Sequence, residues 1–469
     1  MLFNSLTFLI FFVIVFTLHR LMPGWSAKKL LLLVASYIFY AAWNPPYVAI
    51  LLFSTSLDWW LARLIWKSED PRRRRLLLIL SLVANLSLLG FFKYGNFLLD
   101  NTRLLLAAVG VHYVPPALDI VLPIGISFYT FASLSYTIDV YRREVATDAG
   151  YLDYALFVSF FPHLIAGPIV RARQLLPQIK VPRSASRDQL GWGLTLVIIG
   201  LFTKTVLADS VFAPVVDAAY ASPGMGALES WAAVLGFSGQ IYCDFAGYSL
   251  CAIGLALCFG FEFPDNFHYP YAARGFSDFW RRWHITLSTW LRDYLYVPLG
   301  GNRRGETRTY VNLMLTMLIG GLWHGAAWTF VLWGGLHGAY LAVERHKRGS
   351  LRDTPLPKPK DWMLTGFTFL VVTLTWIPFR AHDAHTAAAV FGGLWRPDLI
   401  AGQSTDSLYL CYAGMALLLA WQFMNRDISL EERFRRFSPT LQAALVGGCL
   451  VTMFLCSGGD ERAFIYFQF

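Results

Sequence analysis

Two histidines interrupt apolar sequence and could do chemistry there. His324 sits in "GGLWHGAAWTF" (320–330), inside a stretch, 309–343, that has no Asp, Glu, Lys or Arg. His284 sits in "FWRRWHITLSTWLRDYL" (279–295). With a reference pKa of ~6.5, an imidazole can accept and return a proton near neutral pH. A positioned base of this kind typically speeds attack by a hydroxyl about 10²–10⁴-fold. The competing reading for each is a hydrogen-bonded core histidine. An ionisable ring facing the interior of a helical bundle nevertheless points to function first.

The other histidines read differently. His337 lies 13 residues after His324, about 220° away on a helix, so the two share no face and no metal. It reads as packed or hydrogen-bonded. His382 and His385 in "HDAH" have i, i+3 spacing but no third ligand, and read as a solvated loop. No metal site is expected. Ser249 lacks a G-x-S-x-G elbow and reads as packing or hydrogen bonding. The six cysteines form no CxxC pair and read as small buried hydrophobes.

Charge gathers around His284. Asp278, Arg281, Arg282, His284, Arg292 and Asp293 fall within 16 residues. The segment 277–296 reads as one helix, with Trp280, His284, Leu287 and Leu291 on a single face. Arg281 and Arg282, with Arg303 and Arg304 downstream, either lie in lipid headgroups or dock an anionic cytoplasmic ligand, since arginine holds phosphate bidentately.

The elements that must position these groups follow from composition. The 469 residues are 56% hydrophobic and 15% charged, against about 25% charged in soluble chains. This is the composition of an all-α, polytopic integral membrane protein, read as a single membrane-embedded unit, 1–469. Its parts are N-terminal spans (1–143), a core carrying both histidines (144–345) and C-terminal spans (346–469). The net charge of +9 reflects basic cytoplasmic loops, not nucleic-acid binding. The N-terminus lacks a basic leader and a small-residue cleavage site, and reads as a retained first span.

Apolar runs long enough to cross lie near 3–18, 29–43, 47–66, 76–92, 119–140, 189–207, 229–250, 362–379, 407–424 and 440–457. Lys28–Lys29, "PRRRR" (71–75), "YRR" (141–143), Arg345, Lys347, Arg348, Lys358, Lys360, and Arg433, Arg435 and Arg436 are all placed in the cytoplasm, with both chain ends outside. Two runs do not fit simple crossings. In "LFVSFFPHLIAGPIVRAR" (156–173), Pro162, Gly167 and Pro168 break the apolar run, which reads as re-entrant. One helix over 309–343 would be about 52 Å long, too long for a single crossing. The expected solution is a hairpin bent near Gly320–Gly321 or Gly325, with His324 near its turn and up to about 24 Å deep. Gly334 and Gly338, at small-xxx-small spacing, favour close contact between its arms.

"FWRRWHITLSTWLRDYLYVPLGGNR" followed by "LTMLIGGLWHGAAWTFVLWGGLHG" resembles the membrane-bound O-acyltransferase superfamily. More narrowly, it resembles the bacterial branch containing the membrane subunit of alginate O-acetyltransferase. "VLPIGISFYTF" (121–131), "FFPHLIAGPIVR" (160–171), "QIYCDFAGYSLCAIG" (240–254) and the closing "FIYFQF" also match. The resemblance implies roughly eleven or twelve transmembrane helices with re-entrant segments around a central tunnel, in a bacterial inner membrane. It implies that His324 is catalytic and that His284 holds the second active-site position. The donor would be a cytoplasmic thioester, acetyl-CoA or an acyl carrier thioester, with no bound cofactor. The acceptor would be an exopolysaccharide such as alginate or cellulose, reached with periplasmic acetyltransferase partner proteins, in contact with membrane lipid. Arg281, Arg282, Arg303 and Arg304 are candidate donor contacts. Asp244, Tyr248 and Trp323 are candidate cavity-lining residues, Asp244 also as a partner that orients a histidine. A secondary transporter or a membrane scaffold of an export complex is the alternative; paired broken halves, which a transporter would carry, are not found.

Overall fold

A computed structural model of the chain describes residues 1–113, 120–222, 225–348, 358–397, 404–456, 462, 464 and 465. Among the described residues all regular structure is helical. Helices are what a lipid-embedded chain requires, because backbone N–H and C=O groups find no water to bond. Seven helices are long and apolar enough to cross a membrane: Tyr47–Lys67, Pro71–Ala108, Arg187–Ala221, Ala227–Cys258, Lys360–Arg380, Thr405–Asn425 and Pro439–Cys456. The other expected crossings are shorter helices, Leu6–Leu21, Trp25–Ala41 and Ile126–Tyr141. Positions 119 and 457, at the ends of two expected spans, lie outside the described residues. Leu6, Leu9, Leu76, Val83, Phe91, Leu417 and Phe454 are exposed on these helices. Such an apolar surface belongs against lipid. The chain is a multi-pass membrane protein.

Two compact units contain these helices: Met1–Leu194 with Ala252–Pro264, and Thr195–Cys251 with Asp265–Phe469. In the first, Asp58 is fully buried between helices and accepts from Ser81 Oγ at 2.6 Å and Asn85 Nδ2 at 2.9 Å. Ser54 Oγ donates to Asn85 Oδ1 at 2.6 Å. The expected re-entrant run is broken into Tyr151–Ser159, Phe161–Leu164 and Ala172–Lys180. Its Leu164 carbonyl oxygen would lie 2.5 Å from a Cβ on Gly125, which also has φ +78°, so that position requires glycine.

The second unit holds both candidate histidines. The expected hairpin is present as Glu306–His324 and Trp328–Arg348. Its arms touch backbone to backbone: a Cβ on Gly334 would lie 2.3 Å from the Met317 carbonyl oxygen, and one on Gly321 2.3 Å from that of Phe330. The bend falls at Gly325 and not at Gly320–Gly321. Gly325 is extended, and its missing side chain leaves room for the Phe330 ring, which a Cβ would meet at 2.0 Å.

The single helix expected over 277–296 is not formed. Phe276–Arg282 ends at Trp283, His284 takes left-handed φ 42° and ψ 55°, and Ile285–Leu291 starts a second helix that runs into the π-helical Arg292–Tyr296. The expected common face of Trp280, His284, Leu287 and Leu291 is therefore lost. A non-glycine residue in this conformation costs about 1–2 kcal/mol, which the contacts of the His284 ring must offset.

Candidate active site

His324 is the last residue of its helix and is 4% exposed. Its ring is boxed by Trp323, Trp333 and Phe379, with centroids at 4.9, 5.1 and 5.3 Å. Trp333 is itself buried, and its indole Nε1 has no hydrogen-bond partner among the described residues. His337 sits one turn along the same arm from Trp333 and is fully buried. Thr375 Oγ1 donates to the Val372 carbonyl at 2.6 Å and accepts from His337 Nε2 at 3.2 Å. This gives His337 a structural role inside the bundle.

His284 is fully buried. Its Nδ1 pairs with Asn266 Oδ1 at 3.0 Å. The same oxygen accepts from the Thr286 hydroxyl at 2.8 Å and the Thr286 amide at 3.4 Å, while Asn266 Nδ2 reaches Ser249 Oγ at 3.0 Å. Because the Thr286 amide can only donate, Asn266 Oδ1 is the acceptor and His284 Nδ1 carries the proton. His284 Nε2 then presents a lone pair, buried and without a partner among the described residues. The orientation of one imidazole by a neighbour's hydrogen bond is a general way to fix its tautomer.

Trp323 brings the two histidines into one site. Its ring lies 6.2 Å from His284 and 4.9 Å from His324. Phe245 also packs on His284, centroids 4.6 Å apart. The left-handed backbone at 284 carries a testable consequence. Glycine adopts that conformation without strain, so His284→Gly should exceed His284→Ala in stability by about 1 kcal/mol while both lose the Nε2 lone pair. Thermal unfolding in detergent reads this; equal melting points for the two variants would contradict it.

The remaining expected residues fall into different settings. Asp244 does not orient a histidine. Its carboxylate pairs with Lys204 Nζ at 2.5 Å, and its Oδ2 accepts from the Ile465 amide at 2.8 Å. Asn266 does the orienting instead, and only the polar cluster "PDN" (264–266) marked it in sequence. Tyr248 packs on Phe464, centroids 4.8 Å apart. Of the closing "FIYFQF", only Phe464 and Ile465 are among the described residues. Arg282 is spent on structure: it donates to Asp278 at 3.0 Å and to the Arg426 carbonyl at 2.9 Å. Arg281, Arg303 and Arg304 are exposed, the last two in the turn before Glu306–His324.

A cavity of about 240 Å³ approaches this site between Phe276–Arg282, Ile285–Leu291, Arg292–Tyr296 and the hairpin. Trp280, Leu291, Leu313 and Met317 form its apolar part, and Ser277, Arg292, Tyr296 and Arg345 are polar residues in its wall. Asp244, Tyr248 and Trp323, expected to line a cavity, do not line this one, nor does either histidine.

Comparison with known proteins gives the chemical class. The sequence pattern of MBOAT, the membrane-bound O-acyltransferase family, matches residues 25–377. The chain is 42% identical over 399 residues to a probable alginate O-acetylase of Pseudomonas putida, covering 84% of this chain and 80% of that one. It is 40% identical over 446 residues to a probable alginate O-acetylase of Pseudomonas aeruginosa (92% and 84%). It is also 40% identical over 449 residues to a peptidoglycan O-acetyltransferase of Helicobacter pylori (89% and 81%).

Proposed function

For a chain that belongs to the membrane-bound O-acyltransferase family and is an O-acyltransferase, we propose the transfer of an acetyl group from a cytoplasmic thioester to a hydroxyl of an exported polysaccharide at the inner membrane. The family assignment sets aside the transporter and scaffold alternatives. The observation that supports this reading most is the placement of two buried imidazoles against Trp323, one with an unpaired ring nitrogen. Relatives named for alginate and for peptidoglycan O-acetylation both match at 40% identity or more, so an exported glycan is the acceptor class, with an alginate- or cellulose-like exopolysaccharide first.

In this reading His324 accepts the acceptor's hydroxyl proton as the alkoxide oxygen attacks the thioester carbonyl. His284 Nε2 is a lone pair and not an N–H, so it orients the incoming hydroxyl and does not polarise the carbonyl. The Trp333 indole N–H is available to the oxyanion, the kind of donor that contributes most when buried. Collapse of the tetrahedral species breaks the C–S bond. The thiolate leaves and takes the proton from His324, giving the acetyl ester and the free thiol. Arg281, Arg303 and Arg304 meet the donor's phosphates at the cytoplasmic rim, and periplasmic partners present the polymer. Acetyl-CoA is the first donor to test, and an acylated carrier protein the second.

Cells deleted for this chain should lose base-labile O-acetyl groups from an exported polysaccharide and regain them with the wild-type chain. Unchanged O-acetyl content on every exported glycan would reject the reading.

A further inference from the structure

Two backbone bonds build the turn that carries His284. The Ile285 amide donates to the Asn266 carbonyl at 2.9 Å, and the His268 amide donates to the Arg282 carbonyl at 2.9 Å. They lay 266–268 beside 282–285, with left-handed His284 between the two bonds. Neither bond uses the Asn266 side chain, which is committed to the imidazole instead.

That side chain has one way to sit. Asn266 is 1% exposed. Its Oδ1 faces the amide and the hydroxyl of Thr286, and its Nδ2 donates to Ser249 Oγ at 3.0 Å. A flipped amide would set N–H against N–H at Thr286. Ser249 is buried on the helix Ala227–Cys258, so a row of three polar groups, Ser249, Asn266 and His284, fixes the ring from that helix.

No charge joins the row. The rings against His284 are Phe245, Phe267 and Trp323. Asp244, next in the chain to Phe245, is paired with Lys204. His324, against the same Trp323, is the titratable neighbour. A carboxylate on Nδ1–H would orient the ring and also stabilise the imidazolium. A neutral amide orients the ring and leaves it a poor proton trap.

We infer that Asn266, held by Ser249, is a positioning residue that divides the labour of the two imidazoles, keeping His284 as a hydrogen-bond acceptor for the glycan and leaving the proton to His324. The attacking hydroxyl has one proton and gives it to His324. The His284 Nε2 lone pair therefore takes a neighbouring hydroxyl of the same glycan, and so orients the first. The inference deepens the reading above and rests on both histidines taking part in the transfer.

The test is a double-mutant cycle in cells making the polymer, read as base-labile O-acetyl per unit of polymer at equal membrane abundance. Asn266→Ala should lower it about tenfold, and His284→Ala at least as far. The double variant should stay within about twofold of the worse single one, because the two groups act as a unit. Ser249→Ala should cost less than Asn266→Ala and add nothing to it. Asn266→Asp, nearly isosteric, is assayed in membranes with acetyl-CoA. Its carboxylate should hold His284 protonated and remove the lone pair, so the acid limb of the pH profile should move up by about 1–3 pH units, with activity regained at higher pH. A purely structural asparagine would change the height of that profile and not its position. Wild-type acetylation in Asn266→Ala, losses that multiply in the double variant, or an unshifted profile in Asn266→Asp each overturns the inference. Wild-type acetylation in His284→Ala instead overturns the part given to His284 in the reading above, and this inference with it. Wild-type membranes inactive on acetyl-CoA count against that donor alone, and the cycle in cells still decides the role of Asn266.

Discussion

His324→Ala is expected to lower polysaccharide O-acetylation about 10²–10⁴-fold, the usual contribution of a positioned general base, with the protein still present in the membrane. The size of the effect follows from the setting. His324 is 4% exposed, and the rings that box it, Trp323, Trp333 and Phe379, carry no base; His284, the other imidazole against Trp323, is assigned to orienting the hydroxyl. Alanine also leaves a gap among three aromatic rings, and that gap makes the prediction sharper. Added imidazole should enter it and restore part of the activity, more so as the pH rises through imidazole's own pKa. His324→Gln fills the gap without a base, and should stay inactive and unrescued. The readout is ester-linked acetate per unit of polymer, normalised to membrane abundance by immunoblot. Wild-type acetylation in His324→Ala at normal abundance would end the proposal that His324 is the base.

Lys204→Met should destabilise the fold by roughly 3–5 kcal/mol, the cost of stripping one partner from a buried ion pair. Lys204 is 3% exposed and serves two carboxylates, Asp209 at 2.8 Å and Asp244 at 2.5 Å. It lies in the π-helical stretch Thr203–Phe212, whose neighbouring helix comes close where a Cβ on Gly200 would sit 2.5 Å from the Gly247 carbonyl oxygen. Asp244 also holds the Ile465 amide, and Phe464 packs on Phe245, 5.5 Å away. The loss should therefore spread to the chain end and to the ring beside His284. Thermal unfolding in detergent should show a large drop for Lys204→Met. The double variant Lys204→Met, Asp244→Asn should recover part of it, because coupled neighbours are not additive. A single variant as stable as wild type would show that the pair contributes nothing.

What could be read from sequence was whatever depends on local composition. Low charge and long apolar runs sufficed for a polytopic helical protein, since lipid leaves the backbone no alternative to helices. The charge-free run 309–343, punctuated by glycines, sufficed for a hairpin with His324 near its turn, and the motifs around both histidines resembled one acyltransferase family. Tertiary structure decided everything that depends on which distant residue meets which. Apolar periodicity made 277–296 one helix, yet His284 breaks it, because hydrogen bonding to Asn266 18 residues upstream outweighs the local preference for an unbroken helix. Asp244 looked like a partner for a histidine, but it faces Lys204, 40 residues away in the chain. Arg282 looked free for an anion, but Asp278 and the Arg426 carbonyl occupy it. Arg345 looked like one more cytoplasmic charge, and only the packing of the hairpin against the Ile285–Leu291 helix puts it in a cavity wall. Hydrophobic pattern selects an element and its buried face; the pairing of buried polar groups is chosen by geometry across the bundle, which no local stretch of sequence encodes.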